Sequence, residues 1–228
     1  MQFEYAETLK QDYLVSGEFY RLQAGQQGFL CRRRAEICHR DSGLQSRPDA
    51  VAVLMNPGSA RPLSPLVEDR LPWLASAAGL RIDNRRLQAL HPDNTQYQLM
   101  RLMRLMNWRH LRLINLSDLC DANSQSFAQL FTQLGALDSS HPDSLLHPAR
   151  QPEMKRLLKA DVRLAAWGSN AVLKEHAQQF LKSNRQLKGL ALEAPWYRFA
   201  SPYRKDQKLS WLSGMQQLLN SSGVAPTG

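Results

Sequence analysis

The residues with chemistry to offer stand directly after short apolar runs. Asn56-Pro57-Gly58-Ser59 follows the run Asp49–Met55 (DAVAVLM). Asn115, Ser117 and Asp118 close the run at 111–116 (LRLINL), and Trp167-Gly168-Ser169-Asn170 closes that at 162–167 (VRLAAW). A late polar group carries Ser201, Tyr203, Arg204 and Lys205, and Asp93-Asn94-Thr95-Gln96 opens a helical stretch. Amides, hydroxyls and an aromatic at one rim are groups that read a polar ring or a sugar. A helix start adds backbone N–H groups that suit an anion. Taken singly, Asn56-Pro57-Gly58 reads as a tight turn and Ser169 as a helix cap; their recurrence after apolar runs favours a site. The chain has no Gly-rich phosphate loop, HExxH, CxxC or GxSxG, so nucleoside triphosphate hydrolysis, zinc hydrolysis and serine esterase chemistry are poorly supported.

The apolar runs are the elements that must position these groups. A short continuous run bounded by turn residues is a strand buried on both faces, which predicts parallel pairing. A fourth strand is expected at 189–192 or 196–200. Between the strands fall helical stripes. One has Leu99, Leu102, Met103 and Met106 after a cap at Asp93 or Asn94. Another has Phe127, Leu130, Phe131 and Leu134 after Asn123 or Ser124, stopped at Gly135. Ser169 or Asn170 caps a third stripe, and Asp206 caps the last. Phe19–Ala24 and Gly28–Cys38 predict a hairpin, with Arg32–Arg34 on an exposed face or edge. The whole predicts an α/β fold: a three-layer sandwich with a mainly parallel central sheet and an N-terminal antiparallel hairpin. One domain is expected over 1–228, with 1–48 as the hairpin extension and 221–228 as a frayed tail. In such a sheet, ligands bind beyond the carboxyl ends of the strands.

Composition narrows the classes further. The 228 residues carry a net charge of +9, concentrated as +4 over 51–110 and +5 over 161–228. If these segments meet, Arg61, Arg101, Arg104, Arg204 and Lys205 surround the site and draw DNA or RNA to a basic rim. Cys31, Cys38 and Cys120 are too few and too irregular for a disulfide framework or a zinc site. His141 and His147 fall in a polar, Pro-rich stretch and read as surface histidines. No metal and no cofactor are expected. No run is apolar enough to span a membrane and the N-terminus is polar, which points to a cytoplasmic protein. Oligomeric state is not legible in the sequence.

The blocks VAVLMNPGSA, DNTQYQLMRLM, LRLINLSDL and VRLAAWGSNA resemble a bacterial family of unknown function, domain-of-unknown-function family 1643. They span Val51 to Ala171, about half of the chain, and imply membership without a reaction. A second resemblance is to the uracil-DNA glycosylase superfamily, whose mismatch-specific branch has Asn-Pro-Gly after its first core strand. That resemblance implies that Asn56 helps to place the attacking water, and that Ser201-Pro202 is similar to the loop that presses into DNA. The chain departs from the pattern at Phe199-Ala200, where many members place a His before Ser-Pro, and in having no Asp closely after Asn56. The resulting expectation is a nucleic-acid- or nucleotide-directed protein with glycosylase-like, base-excising chemistry. Asn56 orients water, and Asp93 or Asp118 is the base. Pro57, Gly58, Ser59, Asn94, Asn115, Trp167, Gly168 and Ser169 hold the flipped base. Ser201, Tyr203, Arg204 and Lys205 contact the nucleic acid. The alternatives are a non-catalytic binder of nucleotide or nucleic acid, and a small-molecule enzyme using the same rim.

Overall fold

The computed structural model describes residues 2–66, 71–74, 83–138 and 141–221. Of the expected tail at 221–228, Ser221 ends the last helix and residues 222–228 lie outside the described ones. Helix α1 (Ala6–Asp12) leads into strands β1 (Tyr13–Ala24) and β2 (Gln27–His39), which form an antiparallel hairpin longer than predicted. There follow β3 (Ala50–Leu54), the short β4 (Arg61–Pro62) and β5 (Trp73–Leu74), and β6 (Leu87–His91). Next come α2 (Asn94–Met106), β7 (His110–Asn115), α3 (Ser124–Leu137) and α4 (Gln151–Leu157). Strand β8 (Val162–Ala165), α5 (Lys174–Ser183) and α6 (Lys205–Ser221) complete the chain.

The sheet is mixed, which corrects the expectation of a mainly parallel one. Its order is β4-β6-β1-β2-β7-β3-β8, with β5 beside β1. Only β7, β3 and β8 run parallel as neighbours in the core, while β2 meets β7 antiparallel and is a central strand. The hairpin is therefore part of the sheet, not an appendage to it. The fourth late strand is absent among the described residues. That stretch makes only isolated bridges, such as Leu164 with Lys188 and Ala191 with Tyr197.

Alternation along β3 explains its unbroken apolar sequence. Ala50, Ala52 and Leu54 join one core cluster, and Val51 and Val53 the other. The first cluster holds α1, α2 and α6 side chains such as Leu9, Leu99, Met103 and Trp211. The second holds Phe127, Leu157 and Phe180 from α3, α4 and α5. Helices thus cover both faces. The Met103 and Met106 stripe is core packing.

The Arg32–Arg34 run contradicts the exposed reading: the three residues are 2%, 0% and 1% exposed. Buried guanidinium groups persist only with partners. Glu18 accepts from Arg33 at 3.2 Å and from Arg34 at 2.9 Å, and Glu36 accepts from Arg34 and Arg112 at 2.8 Å each. His110 shares Glu36 at 2.8 Å. Apart from Glu36 on β2 itself, the partners come from other elements, Glu18 on β1, Arg112 and His110 on β7 and Glu153 on α4, so the local pattern does not reveal the burial.

Candidate functional site

The chain direction opens a crevice at the end of β3. Strands β7 and β8, on either side of it, continue to α3 and α5 on one face, whereas the chain beyond β3 leads eventually to α2 on the other. A parallel sheet opens where neighbouring strands send their chains to opposite faces. A cleft of about 640 Å³ lies there, and its walls come from four loop starts and from β2. Asn56, Pro57, Gly58 and Ser59 form one wall and Asp93, Asn94, Thr95 and Gln96 another. Trp167, Gly168, Ser169 and Asn170 form a third, with Phe199 and Ser201 at the mouth and Arg32 behind the turn.

The turn is held from below. Arg32 donates from Nη2 to the Pro57 carbonyl and from Nη1 to that of Ala60 at 3.2 Å, fixing the path as the chain leaves β3. Gly58 adopts φ +70°, and a Cβ there would stand 2.9 Å from Asp93 Oδ2, so this close approach requires glycine. Asn56 is 8% exposed and donates from Nδ2 to the carbonyls of Asp121 at 2.7 Å and Leu119 at 3.4 Å. With Nδ2 engaged, the carbonyl Oδ1 is what Asn56 has left to offer a ligand or a water.

Asp93 is the N-cap of α2. Its Oδ1 accepts from Gln96 N at 2.9 Å, and Gln96 Oε1 accepts from Asp93 N at 3.2 Å, a reciprocal capping box. The second carboxylate oxygen faces Gly58. Asp93 and Asn56 therefore share one cleft. Asn170 caps the turn before α5 through Val172 N and donates to Ser124 O at 3.2 Å, tying the loop after β8 to the start of α3.

Other predicted residues are placed differently. Trp167 is 1% exposed, stacks edge-on against Phe180 and Tyr197, and donates from Nε1 to Pro195 O at 3.1 Å; its ring belongs to the core. The exposed aromatic at the cleft is instead Phe199, at 40%. Asn115 is buried at the end of β7 and does not line the cleft. Nor does Asp118, which is fully buried and accepts from Tyr20 Oη at 2.9 Å and Arg150 Nη1 at 2.7 Å. Burial pushes its carboxyl up to about 7, against the pull of Arg150. Ser117 donates to Asp143 within the same buried layer.

The basic rim is not assembled around the cleft. Arg101 donates to Glu4 O at 2.7 Å and stacks on Phe3, and Arg104 is paired with Glu4 and Asp12. Arg204 is paired with Asp206 at 2.6 Å and Lys205 donates to Tyr5 Oη at 3.0 Å. Tyr203 is 97% exposed, and neither it nor Arg61 lines the cleft. Sequence reasoning missed Arg32, Gln96 and Phe199 as cleft residues. Gln96 was legible as the third residue of a capping box; Arg32 carried no local signal.

The chain matches no family model, no curated protein and no solved structure. Among the described residues no cluster of ligating side chains suits a metal, and no helix is long and apolar enough to cross a membrane.

Proposed function

We propose that the cleft at the end of β3 receives the base of a nucleotide, free or in a single strand, and hydrolyses the bond between base and sugar. The observation that carries this reading is the pairing of Asn56 and Asp93 on one cleft. Asn56 has its Nδ2 locked onto two backbone carbonyls and keeps Oδ1 as an acceptor. Asp93 keeps Oδ2 beside Gly58. Phe199 at the mouth offers an apolar face to a ring. Water held at Asn56 Oδ1 gives a proton to Asp93 as its oxygen bonds to C1′ of the sugar. The C1′–N bond breaks and the base leaves with the electron pair. The proton then returns to the base, and the sugar keeps the hydroxyl.

The test is base release from mismatched and damaged oligonucleotides and from free nucleotides, followed by chromatography. Asn caps a helix about as well as Asp, so Asp93→Asn separates the two roles of this residue. We expect that variant to melt with the wild type while losing about 100-fold or more of the rate, the usual size of a general-base contribution. A rate unchanged in Asp93→Asn overturns the assignment.

The capping box favours a second reading, a binder without chemistry, because Asp93 already has structural work at α2. Stabilisation of the wild type by nucleotides with no base release selects that reading.

A further inference from the structure

Three buried donors on the cleft have nothing to donate to. Arg32 Nε and Gln96 Nε2 belong to residues 2% and 1% exposed, and Ser201 Oγ is likewise buried without a partner. All three residues line the same cleft. An unmet buried donor costs about 1–3 kcal/mol, so three around one cleft call for an occupant.

Arg32 differs from its neighbours in the strand. Arg33 and Arg34 both pair with the Glu18 carboxylate. Arg32 bonds only to the carbonyls of Pro57 and Ala60 and has no carboxylate in ion-pair contact among the described residues. Asp93 and Asp118 act on it only from beyond ion-pair contact, and a buried guanidinium without a paired carboxylate is rare. The start of α2 adds to these donors: Asn94 and Thr95 line the cleft, and the first N–H groups of a helix have no partner within it.

We infer that Arg32, Gln96 and Ser201 form a subsite for a negatively charged oxygen group of the ligand, a phosphate or a carboxylate. The ligand thereby supplies the acceptor that the protein leaves out. The inference rests on the reading of the cleft as the ligand site, and not on its hydrolytic chemistry.

Gln96→Glu is the informative variant. It keeps an Oε1 acceptor for Asp93 N, so the capping box and α2 survive, but it replaces the free donor by an acceptor. Gln96→Met removes the donor without adding charge, and with it the Oε1 acceptor for Asp93 N, a loss of cap that the thermal melt reads separately. Inorganic phosphate and acetate are titrated by calorimetry at constant ionic strength, beside thermal melts. The wild type is expected to bind one equivalent of the better-suited anion, phosphate or acetate revealing which source the subsite fits. Loss of one charge-assisted bond should weaken binding about tenfold in Gln96→Met and more in Gln96→Glu, with both variants folded. No saturable binding of either anion by the wild type overturns the inference. So does full affinity in Gln96→Met, which would reduce the effect of Gln96→Glu to repulsion. Anion binding without base release would leave the subsite standing and remove the hydrolase; base release without anion binding would do the reverse.

Discussion

Gly58 is where the backbone and the candidate chemistry meet. Its φ of +70° belongs to the left-handed region, and Asp93 Oδ2 occupies the space a Cβ would need. An L-residue in that conformation costs about 1–2 kcal/mol. For a chain of this size that corresponds to roughly 2–8 °C in Tm. Gly58→Ala is therefore expected to melt lower and to bind ligand more weakly, since the methyl group displaces the Asp93 carboxylate. Differential scanning calorimetry with ligand titration checks both; an unchanged melt and affinity would mean that the turn relaxes freely. At this scale the sequence was partly readable. Asn-Pro-Gly announced a turn, and Asp93 or Asn94 announced a cap, of which the structure selects Asp93. Arg32 was not readable, because its partners are carbonyls 25 and 28 residues away. Trp167 lines the cleft as expected, but position at a strand end does not say that its ring turns into the core.

Among the elements, β3, β7 and β8 were legible because each is a short, mostly apolar run bounded by turn residues. Strand β2 was legible as a hairpin strand over Gly28–Cys38, but not as a central one, since it is buried by ion pairing as well as by apolar contact. Its charges meet Glu18 on β1 and Glu153 on α4. Two-residue strands such as β4 and β5 are too short to leave a period. The buried layer beneath the cleft carries a pH signature. Asp118 has a folded pKa raised to about 7 from an ordinary value of 3.8, chiefly by burial. Its folded pKa lies above its unfolded one, so the stability it contributes is full below about 3.8 and is lost as pH rises through about 7. Asp118→Asn has no such titration. Urea midpoints from pH 5 to 8 should thus fall in the wild type relative to the variant; parallel curves would refute this. Glu36 works in the opposite sense, its pKa being lowered despite burial by His110, Arg112 and Arg34, so its contribution fades only as acid protonates it.

For the whole molecule, the net charge of +9 suggested a polyanion partner, and the folded arrangement redistributes that charge. Arg33, Arg34, Arg112 and Arg150 are buried against carboxylates. Arg104 and Arg204 are paired away from the cleft. At the cleft itself one guanidinium, Arg32, faces one carboxylate, Asp93, so the local field does not focus a long polyanion. Each phosphate neutralised on a single strand contributes about 0.7 to the slope of log K against log salt, so one contact at Arg32 predicts a slope of only about 0.7. A rim of five cations would instead give about 3.5. Fluorescence anisotropy with a short labelled single strand, titrated at several salt concentrations, separates the two. We expect the shallow slope, and we expect it to vanish in Gln96→Glu, where the anion subsite is lost. A steep slope, kept in that variant but reduced by Ala at Arg204 and Lys205, would transfer nucleic-acid binding from the cleft to the exposed start of α6.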